Sequence, residues 1–401
     1  DKFLCNKHFD FIIGNPPWGS IKGEHINYCE KRKLPLQNNE ISRSFILRTA
    51  DFADKETRCC LIVTSKLFYN NQLPAIDFRK WLLSNAQVIK YIELAAVREL
   101  IFSKARGPAC IVIYKFNKNK KSNLSNILCH LTLKPNVFFK LFKIIVIEKN
   151  DYKYIEQKLL YENDWAWKTM VFGYTHDFYL IQRLKRNFKN VKQIIKDNNL
   201  SYGCGVQVHD GEQDARHLKG KWLLDARNGI DSFLINLNNG CIFNKDKIHR
   251  SKYNKQEIFI PPYTLIKKGF NTRNFKYRAV YSEDNFIYTD AITGICGTIN
   301  NKQTLLSLAG LINSSLYAYF NLMLGSSSGI EREQGFFTEI LMYPAIDDIE
   351  ISELVTIIQD KVKSKNEYNT FCIDNEIEDL IVKLDEIILC KFGLSKDIFV
   401  D

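Results

Sequence analysis

Residues 9–19 read FDFIIGNPPWG, an apolar run that ends at a glycine and a Pro-Pro pair. This pattern is typical of a buried strand that enters a loop. Further apolar runs follow at 58–64 (RCCLIVT), 88–94 (VIKYIEL) and 109–116 (ACIVIYKF), and helical patterns at 41–54 and 75–85 alternate with them. Strands that alternate with helices predict an α/β fold with a doubly wound, Rossmann-like sheet.

The pattern changes after residue 116. Residues 117–126 are polar and basic and read as a linker, and residues 127–345 have the short strands and turns of an α+β region. An apolar stretch at 303–324 predicts one long helix, and an acidic tail predicts two amphipathic helices at about 352–366 and 376–391. The only GxG, at 203–205, reads as a turn. We therefore predict domains at 1–118, 119–345 and 346–401.

Charge is distributed unevenly along the 401 residues. The net charge is +11, but residues 345–401 have 14 acidic side chains and 6 lysines, so the first 344 residues carry about +19. A basic body of this size favours a polyanionic partner, since lysine and arginine release counterions from phosphates. A general solubility charge is the alternative.

The residues after the first strand suit the activation of an aromatic amine. The side-chain oxygen of Asn15 and the main-chain carbonyl of Pro16 can each accept one hydrogen of an amino group. Pro16 and Pro17 fix φ, so these acceptors are preorganised. Trp18 offers a flat face for stacking on a base rotated out of a duplex. The structural alternative is a proline-rich turn with a packing tryptophan.

FDFIIGNPPWG resembles the catalytic motif of the amino-group (adenine-N6) DNA methyltransferases of restriction–modification systems. Five further stretches are similar to later parts of these enzymes, at 42–52, 61–70, 88–114, 308–320 and 379–395. The stretch at 308–320 (LAGLINSSLYAYF) is similar to the LNS-containing helix of their specificity domains. The resemblance implies a partial methyltransferase sheet at 1–118, an α+β target-recognition domain at 119–345 and a C-terminal helical segment at 346–401.

The resemblance also implies roles for single residues. Asn15 and Pro16 would hold adenine N6, Trp18 would stack on the base, and Asp10 and Gly14 would shape the motif. Phe102 is a candidate for a second stacking face, with core packing as the alternative. The partners would be double-stranded DNA with a flipped adenine and an endonuclease domain or subunit of the same system.

The cofactor implied is S-adenosylmethionine, which these enzymes bind through a glycine-rich loop and an acidic residue on earlier strand–helix units. Each such unit takes about 30 residues, and few residues precede FDFIIG. We therefore expect a chain that is truncated before the cofactor motif, binds the cofactor poorly and is inactive alone.

Basic and aromatic residues interleave at 265–281 (LIKKGFNTRNFKYRAVY), which suits a surface that lies on DNA phosphates and base edges. The predicted DNA-binding residues are Lys267, Lys268, Arg273, Lys276 and Arg278. An edge strand guarded by lysines is the alternative. A second basic cluster, of Arg183, Lys185, Arg186 and Lys189, reads as a solvated helix face.

Three other features concern the class of protein. Asp210, Glu212 and Asp214 are acidic residues that a metal-dependent nuclease could use, although surface turns commonly look the same. The eleven cysteines form no CxxC pair, so neither structural zinc nor a disulfide framework is expected, and no metal site is predicted. No apolar run approaches the roughly 18 residues of a membrane span. Cysteines within apolar strands, such as Cys60 and Cys110, suit a reducing cytoplasm.

Two alternative functions remain open at this stage. The first is an NPP-loop methyltransferase that acts on a protein glutamine or on RNA, because the planar nitrogen is chemically similar. The second is a DNA-binding specificity module without activity of its own.

Overall fold

The computed structural model describes residues 9–20, 22–35, 40–102, 107–249, 256–330, 334–365 and 370–395. The chain divides into two compact units. The first comprises residues 1–180 with 323–332, and the second comprises residues 181–322 with 333–401. Each unit has its own apolar core. No helix among the described residues is both long and apolar enough to cross a membrane.

The described part of the first unit is built around a six-stranded sheet. Its strands are β1 (Phe11–Gly14), β2 (Arg58–Thr64), β3 (Ala86–Glu93), β4 (Ala109–Phe116), β5 (Ile127–Thr132) and β6 (Tyr152–Glu156), in the spatial order β1-β2-β4-β3-β5-β6. The pairs β1–β2 and β3–β5 are parallel, and β4 is antiparallel to both β2 and β3. Strands β1, β2, β3 and β5 therefore run in one direction and end at one side of the sheet, here called the carboxyl edge.

Helices lie between these strands or follow the last of them. They are α1 (Glu24–Lys31), α2 (Ile41–Thr49), α3 (Lys66–Tyr69), α4 (Leu73–Asn85), α5 (Arg98–Ile101), α6 (Lys120–Leu124), α7 (Val137–Phe142), α8 (Gln157–Glu162), α9 (Ala166–Phe172) and α10 (Thr175–Asn187). The predicted α/β class is confirmed, as a mixed sheet with parallel pairs. The strands predicted at 58–64 and 109–116 have the observed bounds.

The predicted linker at 117–126 is wrong. Its polar residues form a capped helix, since the Asn119 side chain accepts a hydrogen bond from the Ser122 amide (3.1 Å). The Asn123 side chain donates to the carbonyls of Ser84 (2.8 Å) and Asn117 (2.7 Å). The sheet continues beyond this helix into β5 and β6, so the compact units do not follow the boundaries predicted at 118 and 345. The functional division of the chain stays a prediction.

The second unit consists of short strands and helices. The strands are β7 (Ser201–Cys204), β8 (Gln213–Asp214), β9 (Trp222–Leu224), β10 (Ile230–Asp231), β11 (Leu234–Ile235), β12 (Gly240–Ile242), β13 (Lys247–Ile248), β14 (Tyr263–Lys267), β15 (Arg278–Ser282), β16 (Ile287–Tyr288) and β17 (Ile292–Cys296). Strands β15-β14-β17-β7 form an antiparallel sheet. The GxG predicted as a turn is instead the end of β7, where Gly203 pairs with Gly294.

The remaining helices are α11 (Val191–Asp197), α12 (Lys302–Asn313), α13 (Ser315–Leu324), α14 (Phe337–Ile340), α15 (Ile349–Lys363) and α16 (Thr370–Lys391). The single helix predicted at 303–324 breaks at Ser314, whose backbone is extended and whose hydroxyl accepts a hydrogen bond from the Tyr317 amide (3.3 Å). Both helices predicted in the acidic tail are confirmed, as α15 and α16.

Polar side chains in two of the stretches that resemble DNA methyltransferases, 308–320 and 379–395, connect elements of the second unit. Asn313, in the LINSS sequence, exchanges hydrogen bonds with both the amide (3.1 Å) and the carbonyl (2.8 Å) of Ala279 in β15. Asp385 of α16 accepts from the Ser315 amide (2.7 Å) and pairs with Lys276 (3.0 Å). These polar contacts fix α12, α13 and α16 against the sheet residues beside them.

A buried ion pair connects α4 with the turn before α9. Arg79 is 1% exposed and donates to Asp164 (2.6 Å) and to the carbonyls of Leu67 (2.8 Å) and Asn70 (2.9 Å). Its guanidinium thus replaces water for three groups that would otherwise be left without partners. Removing one member of such a pair is costly because the other charge stays desolvated.

We expect Arg79→Met to lower the free energy of unfolding by about 3 kcal/mol, because Asp164 and two carbonyls lose their donor. Urea denaturation followed by circular dichroism measures this change. Arg183→Met is the matched control, since Arg183 is also helical but exposed, and it should alter stability by less than about 0.5 kcal/mol. Equal effects of the two substitutions would contradict the importance of the buried pair.

Candidate functional site

The Asn15–Trp18 turn leaves β1 at the carboxyl edge. Gly14 pairs with Leu61 of β2, and a Cβ at Gly14 would lie 3.1 Å from the Leu61 side chain, so the strand approaches its neighbour closely. Pro16 is buried, whereas Asn15 and Pro17 are exposed. The Asn15 amide has no hydrogen-bond partner among the described residues. The turn is therefore anchored through Pro16 and presents an amide oxygen to solvent.

Trp18 is half-buried and held in a defined orientation. Its indole N–H donates to the carbonyl of Ile62 in β2 (3.3 Å). Its ring meets Phe102 edge to face, with 6.0 Å between ring centroids and 82° between the planes. Both rings pack on a small apolar cluster that includes Leu94 and Leu133. Phe102 thus has the packing role, and it also lies beside Trp18, as a second aromatic of one site would.

Glu40 fixes the far end of the turn, and the sequence alone did not indicate it. Its carboxylate accepts from the Gly19 amide (3.1 Å) and the Ser42 hydroxyl (3.0 Å). The Gly19 carbonyl in turn accepts from the Ile41 amide (3.0 Å). Gly19 has φ +125°, a conformation that side chains disfavour. The turn is thus clamped between β1 and the start of α2.

A second carboxylate missed by the sequence reasoning is Glu93, at the end of β3. It is 1% exposed and accepts hydrogen bonds from the Ser65 hydroxyl (2.9 Å), the Tyr91 hydroxyl (2.8 Å), the Tyr69 hydroxyl and the Ala95 amide (2.8 Å). Ser65 follows β2, so Glu93 joins the ends of two strands at the carboxyl edge. The hydrogen bond from the Ala95 amide also fixes the start of the segment that leads to Phe102.

Burial is the main influence on Glu93. It raises the pKa of the carboxyl above its ordinary value of 4.5, and the hydrogen bonds from Tyr69, Ala95, Tyr91 and Ser65 lower the pKa and offset part of this effect. The folded protein therefore holds this proton more tightly than the unfolded chain does.

Three of the five predicted DNA-binding residues are engaged within the protein. Lys267 donates to the carbonyls of Arg227 (2.6 Å) and Ile230 (3.3 Å), and burial lowers its pKa. Lys276 pairs with Asp385 (3.0 Å), and Arg278 pairs with Asp231 (3.4 Å). These contacts give the three cations structural roles that compete with phosphate binding.

Lys268 and Arg273 differ from the other three. Both are exposed, and neither side chain has a partner among the described residues. Arg273 lies in the loop between β14 and β15, where its amide donates to the Asn271 side chain (2.9 Å). This pair is therefore the part of the predicted set that is available to a ligand.

The acidic cluster consists of separate ion pairs. Asp210 pairs with Lys245 (2.8 Å), Glu212 with Lys247 (2.9 Å) and Asp214 with Arg216 (3.0 Å). Hydrogen bonds from Arg216 lower the pKa of Asp214 to about 2. No group of three or more candidate metal ligands occurs among the residues that the structure describes. The geometry therefore fits the surface-turn interpretation of these carboxylates better than a metal-dependent nuclease site.

The side chains of the second basic cluster, at 183–189, differ in their exposure and contacts. Arg183 and Arg186 are exposed, and Lys189 pairs with Asp197 (2.7 Å). Lys185 is half-buried, and burial lowers its pKa to about 8. Only part of this cluster is a solvated face.

The described residues do not supply the cofactor cradle that the resemblance implies. Within them, no glycine-rich turn follows a strand at the carboxyl edge beside β1, and Gly203 and Gly205 belong to the other unit. Strand β1 pairs only with β2 among the described strands and leaves Phe11 and Ile13 exposed. No residue of this chain is therefore assigned to S-adenosylmethionine.

The Asn15–Trp18 turn lies in the part of the chain that matches a protein-family model. Residues 1–101 match the family model of the Eco57I restriction-modification methylase. This match supports a methyltransferase and covers about a quarter of the chain. Among curated proteins, no match was found.

Solved structures of restriction–modification enzymes are similar to this chain to different degrees. The type IIL enzyme MmeI, solved in complex with DNA, is 11% identical with a TM-score of 0.56, over 96% of this chain and 54% of that one. The type IIG endonuclease BpuSI is 12% identical, with a TM-score of 0.37 over 94% and 54% of the two chains. A type I methyltransferase subunit from Streptococcus thermophilus is 12% identical, with a TM-score of 0.31 over 40% and 37%.

The present chain spans about half the length of the MmeI and BpuSI chains. At these identities the likeness shows the fold alone, and of these three structures only MmeI has a TM-score above 0.5. The likeness in fold to MmeI therefore extends over nearly the whole chain.

The buried carboxylate of Glu93 makes a testable contribution to stability. The stabilisation that Glu93 provides is fully present below pH 4.5, the ordinary pKa of its carboxyl group. This stabilisation is lost as the pH rises through the raised pKa of the folded state. The stability of the wild type relative to Glu93→Gln should therefore fall with rising pH across this window. Urea denaturation at several pH values measures the difference. Glu99→Gln, at an exposed carboxylate, should show no such trend, and a pH-independent difference for Glu93→Gln would refute the raised pKa.

Proposed function

We propose that this chain is the base-holding and DNA-reading portion of a site-specific, adenine-N6 DNA methyltransferase of a restriction–modification system. The observation that carries the proposal is the rigid Asn15–Trp18 turn, which presents an unpartnered amide beside two aromatic rings at the carboxyl edge. The methylase match of residues 1–101 and the fold shared with MmeI support it.

The chemistry of the turn fits adenine N6. That amine is a poor nucleophile because its lone pair is delocalised into the ring. Asn15 Oδ1 and the Pro16 carbonyl can each accept one of its hydrogens, which favours a tetrahedral nitrogen with its lone pair directed away from the acceptors. Pro16 and Pro17 hold the acceptors in place before the base arrives, so little entropy is lost on binding.

The aromatic neighbours suit a base outside the duplex. The hydrogen bond to Ile62 and the contact with Phe102 fix the plane of the Trp18 indole. A fixed aromatic ring stabilises an extruded base by stacking and compensates for part of the unstacking cost. We propose that Trp18 contacts the base and that Phe102 supports Trp18 or borders the base.

S-adenosylmethionine is the methyl donor that this class of reaction uses. Because the described residues lack its cradle, we derive no step through it. The function proposed for this chain is to hold the target amine and to bind the duplex.

For duplex binding, the available cations of the second unit are the first candidates. Lys268 and Arg273 are exposed in the basic and aromatic stretch at 265–281, whereas Lys267, Lys276 and Arg278 hold the protein together. Phosphate contacts by exposed cations give sequence-independent affinity and orient the protein for base readout.

Asn15→Ala should reduce methyl transfer by at least about a hundredfold, the usual cost of a lost donor or acceptor at a reacting atom. The complete native polypeptide, assayed with duplex DNA and radiolabelled S-adenosylmethionine, gives this measurement. DNA affinity should stay within about twofold of wild type, because the amide contacts only the extruded base. Asn187→Ala is the matched control and should methylate as wild type, because Asn187 is exposed and its side chain has no partner among the described residues.

Near-normal methylation by Asn15→Ala would refute the assignment of Asn15. DNA binding without methylation in the wild type would favour a specificity module without activity. Methylation of a protein glutamine or of RNA in place of DNA would favour the other NPP-loop functions.

Lys268→Gln/Arg273→Gln should weaken duplex binding and reduce the slope of log affinity against log salt by about 2, one for each lost phosphate contact. Fluorescence anisotropy with a labelled duplex over a salt series measures both. Arg183→Gln/Arg186→Gln removes two exposed cations elsewhere and should leave the slope unchanged. The same slope for the wild type and the Lys268/Arg273 variant would exclude these residues from the interface.

A further inference from the structure

The connection between β5 and β6 exposes an unusual amount of apolar surface. Within it, helix α7 has Val137 70%, Phe138 54%, Leu141 68% and Phe142 64% exposed. Ile144, Val146 and Ile147 continue the exposed apolar stretch. Contiguous apolar surface of this kind on a folded protein marks an interaction site more often than chance.

Helix α7 has defined ends and side chains that anchor it to the rest of the unit. The Asn136 side chain caps α7 by accepting from the Phe139 amide (2.8 Å), and Lys143 ends the helix in the left-handed conformation (φ +60°). Phe139 is buried, and Ile145 packs against the cluster that also holds Trp18 and Phe102. With these two side chains anchored inward, Phe138, Leu141 and Phe142 lie on the outward face, at helical spacings of three and four residues.

The topology places this face at the same edge of the sheet as the candidate site. Strand β5 is parallel to β3, with Thr132 opposite Glu93, so the chain enters α7 from the carboxyl edge. The Asn15–Trp18 turn leaves β1 at the same edge. The exposed apolar face and the proposed base-holding turn therefore lie at one edge of one unit.

The charge of the connection points to a polyanion. Residues 133–151 contain four lysines, one glutamate and one aspartate, a net charge of +2. Asp151 is paired with Lys134 (2.9 Å), while Lys143 and Lys149 are exposed. In a symmetric dimer, two such patches would face each other with like charge, which disfavours association. With six residues, α7 is about 9 Å long, much shorter than typical membrane-surface helices.

We propose that Phe138, Leu141 and Phe142 form an apolar wedge that inserts against unstacked bases of the DNA while neighbouring lysines contact phosphates. This inference rests on the proposed function and deepens it. Apolar side chains inserted at a base step compensate for lost stacking. A wedge at the same edge of the sheet as the Asn15–Trp18 turn would open a base step of the duplex from which the adenine is extruded.

The experiment compares two duplexes of about 30 base pairs, one intact and one with a central mismatch next to 2-aminopurine. Unstacking a mismatched step costs less, so a wedge protein binds it more tightly. We expect the wild-type chain to prefer the mismatched duplex by roughly tenfold and to brighten the 2-aminopurine. Phe138→Ser/Leu141→Ser/Phe142→Ser should lose both the preference and the brightening but keep its salt dependence.

Two controls separate this effect from other causes. Leu73→Ser/Ile127→Ser removes apolar side chains of similar exposure (67% and 57%), and Ile127 begins β5 at the opposite edge. This variant should behave as wild type. Circular dichroism and thermal unfolding verify that the wedge variant folds, and the single variant Phe142→Ser, with a partial loss, serves if the triple variant does not.

The outcomes distinguish the two proposals. An unchanged mismatch preference in the folded wedge variants overturns the wedge but leaves the proposed function standing. A wild-type dimer that becomes monomeric in the wedge variant, with equal DNA binding, overturns the wedge in favour of self-association. Absence of salt-dependent duplex binding by the wild type overturns both proposals.

Discussion

The parallel pairing of β1 with β2 is the constraint on which the site depends. It sets the direction of β1, and β4, antiparallel to both β2 and β3, sets the direction of the other strands. Because β1, β2, β3 and β5 end at one edge, residues far apart in sequence meet at that edge. Asn15 follows the first of these strands, Ser65 the second, Glu93 ends the third, and α7 follows the fourth. Reversing the direction of any one strand would move the residues that follow it to the opposite edge.

Two carboxylates give this edge its rigidity. Glu40 clamps the end of the Asn15–Trp18 turn through the Gly19 amide, and buried Glu93 links the ends of β2 and β3 with the segment leading to Phe102. Neither side chain has to contact a substrate in order to influence the geometry of the site. Preorganised acceptors are effective because they do not have to be ordered when the reaction occurs, and the hydrogen bonds of Glu40 and Glu93 provide that order.

The sequence predicted local features well and long-range contacts poorly. The strands at 58–64 and 109–116 were predictable because continuous apolar runs flanked by polar residues have one good interpretation. The break at Ser314 and the capped helix at 120–124 were missed, since each depends on a serine or asparagine side chain bonding to nearby backbone. The engagement of Lys267, Lys276 and Arg278 depends on partners 37 to 109 residues away, which no local pattern shows. The roles of Asn15, Pro16, Pro17 and Trp18 remain predictions from chemistry and resemblance.

The central claim is that the turn after β1 holds an adenine amine. A structure of the complete polypeptide bound to its duplex tests this most directly. The account predicts an extruded adenine whose N6 lies within about 3.2 Å of both Asn15 Oδ1 and the Pro16 carbonyl, with the base in contact with Trp18. An adenine that stays stacked in the duplex, or one extruded to another part of the protein, would contradict it.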